Sequence, residues 1–155
     1  MVNVILDLLE PSAVQLNLDA HNSREVISTL GNLLLKAGYV NDTFVDAAWE
    51  REQHLPTGLP LGGDVNAAIP HTDVIHVKKA GLSMATLRSP VTFKNMVSPE
   101  ESVPVKLVFV LALDKPKAQV EMLMEIANVL QNPETIEKLM KAKSYTDVRS
   151  AFAGA

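Results

Sequence analysis

The residues best suited to chemistry lie in one stretch, which begins at Arg51 and ends at His76. Imidazole attacks phosphorus and also leaves it readily, so a well-placed histidine can carry a phosphoryl group. Pro70 fixes its own φ and favours extended backbone at Ile69, which restricts the direction in which the His71 ring leaves the chain. The other backbone-shaping residues of the stretch are Pro56, Gly58, Pro60, Gly62 and Gly63. The stretch therefore predicts a phosphoryl-carrying site centred on His71, an exposed loop residue.

Two further side chains of this stretch are suited to act on a phosphoryl group. The guanidinium of Arg51 can pair bidentately with phosphoryl oxygens. Its alternative role is an ion pair with Asp46 in the same helix, worth a few tenths of a kcal/mol. His76 can donate a hydrogen bond to the phosphoryl group, or it can be the exposed end of a short strand over residues 75–77. For His71 the alternative is an ordinary solvated histidine.

The same residues do not have the spacing of a metal or nucleotide site. His71, Asp73 and His76 lack the i, i+4 histidine pair of a zinc protease helix, and the chain has no cysteine to complete a ligand set. Gly62-Gly63 fits neither a GxxxxGK[ST] loop nor a GxGxxG fingerprint. We therefore expect no metal and no cofactor, and we expect the remaining histidines, His21 and His54, at the surface.

Composition limits the class of protein. The chain has 155 residues and is 47% hydrophobic, which suits one domain over residues 1–155 with its own core. The absence of cysteine suits a reducing compartment, and no apolar run approaches the roughly 20 residues of a membrane span. A net charge of -4 without a basic run argues against nucleic-acid binding. We expect a cytoplasmic protein that does not insert into membranes.

Two helices are predicted before the reactive stretch. The first begins after the cap Asn22 and ends before Gly38. The second is capped by Asn41 or Asp42 and delivers Arg51 from its last turn. Its inward residues are expected to be Phe44, Val45, Ala48 and Trp49.

Strands and further helices complete the predicted fold. Strands are expected over residues 14–18, 65–69, 80–87 and 105–113, and the last is apolar enough to be central. Helices are expected after residue 115, after Asn132-Pro133 and after Ser144. The inward residues of these helices are predicted to be Val120, Leu123, Met124, Ala127, Leu130, Val148 and Phe152, with Met96, Met122 and Met140 filling core gaps. This pattern predicts an α/β fold, a single-domain sandwich with a central mixed β-sheet flanked by helices.

Four sequence motifs, in order, carry a family resemblance. They are RExxxPTG from Arg51, AIPH ending at His71, VTFxxM from Val91 and VKLVFVLA from Val105. The chain resembles, from Val14 to about Phe152, the A component (enzyme IIA) of a sugar phosphotransferase system, in the fructose/mannitol superfamily and its galactitol-like branch.

The resemblance implies a function and partners. His71 would accept a phosphoryl group from the histidine-containing phosphocarrier protein and pass it to a cysteine of the sugar-specific B component, for galactitol or a related polyol or sugar. The family's arginine corresponds to Arg51, and the galactitol-like pattern places a supporting histidine at His76. Mannitol- and fructose-type members carry another histidine where this chain has Gln119, and their loop before the carrier histidine is shorter.

Three other functions are also compatible with the sequence. A regulator of the same fold would use phosphorylated His71 as a signal, a metal-dependent hydrolase would hold stoichiometric zinc, and a binding module would carry no phosphate. Leu55, Leu59 and Leu61 form a candidate docking patch for partner proteins, or else they pack onto the core.

Overall fold

The computed structural model describes residues 3–154. Along the chain, helices lie before, between and after the strands. The helices are α1 (Val4–Leu8), α2 (Ser23–Lys36), α3 (Phe44–His54), α4 (Pro116–Val129), α5 (Pro133–Lys141) and α6 (Tyr145–Ala153), with a 3₁₀ turn at Val74–His76. The strands are β1 (Leu9–Leu18), β2 (Gly58–Leu59), β3 (Ala67–Ala68), β4 (Gly81–Lys94) and β5 (Ser102–Ala112).

These strands form one mixed sheet in the order β1-β4-β5-β3-β2. β1 runs parallel to β4 and β3 runs parallel to β5, whereas β4 and β5 are antiparallel. β5 lies in the middle, as its apolar sequence predicted. The predicted α/β sandwich with a mixed sheet flanked by helices is confirmed.

The alternation of side chains along β5 divides the interior into two cores. Leu107, Phe109 and Leu111 pack on one side with residues of α1, α4, α5 and α6. Val108 and Val110 pack on the other side with residues of α2 and α3. Because both faces of the strand are covered, apolar and polar residues do not need to alternate along it.

Most predicted helix ends are confirmed by their cap hydrogen bonds. Asn22, Asn132 and Ser144 each accept a hydrogen bond from a backbone N–H of the following turn. Gly38 has a φ of +88°, which explains why a glycine ends α2. The cap predicted for α3 is wrong, because the helix follows Thr43, whose side chain makes no cap hydrogen bond.

Several strand boundaries differ from the predictions. β1 begins at Leu9 rather than at residue 14, and its alternation is interrupted by register shifts against β4. The expected strand over 65–69 is reduced to Ala67–Ala68, and the expected strand over 75–77 is wrong because residues 74–76 form the 3₁₀ turn. β4 continues to Lys94 beyond a register shift after Thr86.

The predicted inward face of α4 is wrong in part. Leu130 is buried as predicted, but Val120 and Met124 are 56% and 68% exposed, and Met122 and Ile126 are buried instead. α4 has apolar residues on more than one face, so spacing alone did not select the stripe that packs into the core. Met122 fills the core as predicted. Met124 and Met96 do not, since Met96 is 37% exposed.

Candidate functional site

The sheet places His71 just beyond its central region. β3 pairs with β5, and the backbone of Leu111 in β5 donates a hydrogen bond of 3.0 Å to the carbonyl oxygen of Pro70. Pro70 has no N–H of its own and a fixed φ, so the chain leaves β3 in an extended, restrained form. His71 follows directly. Its backbone is therefore held by the sheet although it lies outside a regular strand.

The ring of His71 is buried rather than exposed, which corrects the prediction of an exposed loop histidine. The residue is 5% exposed, and its Nδ1 lies 2.9 Å from the carbonyl oxygen of Ile69. A carbonyl oxygen can only accept, so Nδ1 carries the proton and Nε2 of the neutral ring keeps a free lone pair. Nε2 makes no hydrogen bond to a described residue.

Burial also sets the protonation state of this ring. Desolvation lowers the pKa of His71 below the ordinary histidine value, and the positive charge of Arg51 lowers it further. The hydrogen bond to Ile69 and the charge of Asp73 act in the opposite direction. The neutral, nucleophilic form is therefore favoured near neutral pH.

Arg51 is part of the last turn of α3. It lies close enough to His71 for its charge to lower the pKa of that ring. It lines a cleft of about 260 Å³ together with Thr72, Asp73 and His76. Its Nε is buried and has no hydrogen-bond partner among residues 3–154. In the same part of the chain no ion pair joins Arg51 to Asp46, so the alternative role finds no contact in the structure. The guanidinium group, which lines the cleft and forms no ion pair among the described residues, is suited to an anion that enters the cleft.

His76 ends the 3₁₀ turn on the wall of the same cleft. It is half-buried, and its Nδ1 lies 2.8 Å from Oγ1 of Thr43 at the start of α3. No hydrogen bond joins the rings of His76 and His71 within the described chain. The structure thus brings His76 to the cleft of Arg51 and orients it through Thr43.

Two buried polar residues under His71 were missed in the sequence. Glu52 and Thr57 are 7% and 2% exposed, and they hydrogen bond to each other. A signal was present, because Glu52 continues the inward spacing of Phe44 and Ala48 along α3. A carboxyl group on a buried helix face requires a polar partner.

The remaining predicted residues have separate surroundings. Gln119 lies in the first turn of α4, and its Oε1 is buried without a partner among the described residues. Leu55 is 55% exposed and stays a docking candidate, whereas Leu59 and Leu61 are partly buried against the core. His21 and His54 are exposed, as predicted. Val45 and Trp49 are half-buried rather than fully inward.

The structure of residues 3–154 bears on metal binding and on membrane insertion. No group of three or more His, Asp or Glu side chains there is arranged to hold a metal ion. Every helix in that range is too short or too polar to cross a bilayer.

Comparisons with known proteins show the family to which the chain belongs. The sequence matches the family "Phosphoenolpyruvate-dependent sugar phosphotransferase system, EIIA 2" over residues 7–154. It is 33% identical over 116 residues to the galactitol-specific EIIA component of Escherichia coli strain K12, covering 75% of this chain and 76% of that protein. Both similarities run through the candidate site.

Solved structures show the same fold. The crystal structure of IIA mannitol from Escherichia coli matches with a TM-score of 0.78 and 26% identity, over 93% of this chain and 98% of that one. A complex of IIA mannitol and phosphorylated IIB mannitol from Escherichia coli matches with a TM-score of 0.77 and 26% identity, over 95% of this chain and 98% of that one. The chain therefore belongs to the EIIA components of the phosphoenolpyruvate-dependent sugar phosphotransferase system, which carry phosphoryl groups between proteins.

Proposed function

We propose that His71 is the phosphoryl carrier of this EIIA component and that Nε2 is the reacting nitrogen. The observation that carries the proposal is the 2.9 Å contact between Nδ1 and the carbonyl oxygen of Ile69, which leaves the lone pair on Nε2. A buried, neutral imidazole is prepared to attack phosphorus without first losing a proton.

The transfer runs in two steps between nucleophiles. In the first, the N–P bond of the phosphorylated histidine-containing phosphocarrier protein breaks as the bond from Nε2 to phosphorus forms. In the second, a thiolate of the sugar-specific B component attacks phosphorus and the N–P bond of His71 breaks. Arg51 offsets the charge of the phosphoryl oxygens in both steps, and His76 supplies a further donor from the wall of the cleft.

The relatives support a class of sugar and a class of partner for the proposed transfer. The similarity to a galactitol-specific EIIA component favours galactitol or a related polyol, and the IIA–IIB mannitol complex supports a B component as the acceptor. Such a carrier would work in the cytoplasm, between the phosphocarrier protein and the transporter. Exposed Leu55, next to the last turn of α3, would contact these partners.

The test is phosphoryl acceptance from the phosphocarrier protein by variants of His71. His71→Ala and His71→Gln should both abolish labelling, while His21→Ala, at an exposed residue just before α2, should be labelled at the wild-type rate. Because His71 is buried, circular dichroism must accompany the assay, and the glutamine variant retains more of the volume. Wild-type labelling of a folded His71→Gln variant would refute the assignment.

A further inference from the structure

The transfer step does not use Glu52, a buried carboxyl group directly beneath the site. It lies on the inward face of α3, and no cation among the described residues forms an ion pair with it. Desolvation raises the pKa of Glu52 to about 7, although hydrogen bonds from Thr57 and the charge of Arg51 act against the increase. Burying such a group is unfavourable, so its position calls for a specific role.

Glu52 is bonded on both oxygens to one residue, Thr57. Its Oε2 accepts from the backbone N–H of Thr57 at 2.8 Å, and its Oε1 accepts from the Thr57 hydroxyl at 2.8 Å. A hydroxyl has a single proton, so Oγ1 of Thr57 offers only lone pairs to a third group. Glu52 thereby fixes the direction of the Thr57 hydroxyl.

The third group is the backbone N–H of Ile69. It donates to Oγ1 of Thr57 at 3.2 Å, and the carbonyl oxygen of the same residue accepts from Nδ1 of His71 at 2.9 Å. On the other side, Leu111 holds the carbonyl oxygen of Pro70. A continuous series of hydrogen bonds therefore leads from Glu52 through Thr57 and Ile69 to the ring of His71.

We propose that Glu52 and Thr57 are positioning residues, which hold the carbonyl group of Ile69 where it keeps the proton of His71 on Nδ1. The hydroxyl of Thr57 anchors one end of Ile69, and the carbonyl group at its other end selects the tautomer. Without the anchor, Ile69 keeps only the restraints of the neighbouring sheet contacts, and the ring can place its proton on Nε2. The effect on transfer rests on the proposed function, because the tautomer limits the rate only if Nε2 attacks phosphorus.

The experiment compares two substitutions at Thr57 with a matched control. Thr57→Val removes the hydroxyl with little change of shape, whereas Thr57→Ser retains it. Thr86→Val is the control, because Oγ1 of buried Thr86 likewise accepts from a backbone N–H, that of Asn17 at 2.8 Å, in a part of the sheet away from His71. Each protein is examined by ¹⁵N NMR of the histidine rings and by single-turnover acceptance from the phosphocarrier protein.

The expected result is specific to Thr57→Val. Its His71 should lose the single Nδ1–H tautomer, and its acceptance rate should fall about tenfold, as for one lost hydrogen bond. Thr57→Ser should keep the wild-type tautomer and a rate within about threefold, and Thr86→Val should leave both unchanged. A folded Thr57→Val variant with the wild-type tautomer would overturn the proposal.

The two readouts separate this inference from the proposed function. If wild-type protein is not labelled at His71, the proposed function fails, while the tautomer comparison still decides the positioning role. If Thr57→Val does not fold, Glu52→Gln replaces it, because an amide accepts from only one of the two Thr57 donors. An unchanged His71 tautomer in Glu52→Gln would likewise contradict the proposal.

Discussion

The surroundings of His71 have an outer side and an inner side, which differ in burial and in hydrogen bonding. We call the adjacent cleft lined by Arg51, Thr72, Asp73 and His76 the outer side, and the buried group of Glu52, Thr57 and Ile69 the inner side. Arg51 and Glu52 are consecutive in α3. Because consecutive side chains leave a helix in different directions, one lies on each side.

The difference matches two separate requirements of a carrier. On the outer side, the guanidinium group of Arg51 forms no ion pair among the described residues, which leaves it able to bind an anion that arrives and departs. On the inner side, Thr57 and Ile69 are bonded to each other and to their neighbours, which holds the ring in one orientation. In the proposed transfer, the outer side would stabilise the charged phosphoryl group, and the inner side would keep the proton of His71 on Nδ1.

The largest effect is expected from Arg51 on the outer side. Arg51→Ala should slow phosphoryl acceptance about a hundredfold and Arg51→Lys about tenfold, because lysine retains the charge without the planar fork. Rapid-quench assays with labelled phosphocarrier protein measure both. Arg88→Lys, at an exposed pair with Asp19, is the matched control and should transfer normally. Unchanged rates in Arg51→Lys would assign Arg51 to the scaffold.

A smaller effect is expected from His76, the other donor of the cleft wall. His76→Ala should slow transfer by up to about tenfold, and His76→Gln should recover part of the loss because it retains a donor of similar reach. Thr43→Val, which removes the hydroxyl beside Nδ1 of His76, should reproduce a fraction of the decrease. Identical wild-type rates for the two His76 variants would remove this residue from the outer side.

The pH dependence distinguishes the buried histidine from an exposed one. The pKa of His71 is lowered by burial and by Arg51, so its neutral form should persist as the pH falls below 6.5, the ordinary value. In contrast, the pKa of His21 is raised by its hydrogen bond to Glu25. NMR titration of the ring protons should place the two midpoints on opposite sides of 6.5, and Arg51→Gln should move only that of His71 upwards. A His71 midpoint above 6.5 would contradict its buried, neutral state.

The inner side should also affect the free energy of unfolding. Glu52 binds its proton more tightly in the folded protein, because its pKa rises from 4.5 to about 7. Its contribution is therefore fully present below pH 4.5 and is lost as the pH rises towards 7, by up to about 3 kcal/mol. Glu52→Gln cannot ionise. Its free energy of unfolding, measured with urea, should therefore rise relative to that of the wild-type protein as the pH increases over this range. A difference that does not vary with pH would show that Glu52 is unperturbed.

The fold was predictable where local signals agreed with each other. Asn22, Asn132 and Ser144 cap helices as expected, and the apolar run of β5 is central because a strand covered on both faces requires no alternation. The inward stripe of α4 was not predictable, since its apolar residues occupy more than one face and only packing selects between them.

The sequence predicted candidate site residues but not the burial of His71. His71, Arg51 and His76 were proposed from chemistry, spacing and the family resemblance, and the structure gathers Arg51 and His76 around one cleft beside His71. The burial of His71 depends on the long-range pairing of β3 with β5. Because glycines and prolines surround β3, the local sequence pattern does not predict this pairing. The link from Glu52 to Ile69 spans a loop, so no local pattern reports it.

One measurement tests the central claim most directly. Wild-type protein is incubated with phosphoenolpyruvate, enzyme I and the phosphocarrier protein, and the product is examined by phosphopeptide mapping and by ³¹P–¹⁵N NMR of the modified ring. We predict a single phosphoryl group, on Nε2 of His71, with Nδ1 still protonated towards Ile69. Phosphate on Nδ1 of His71, or on His76 or any other residue, would contradict the account.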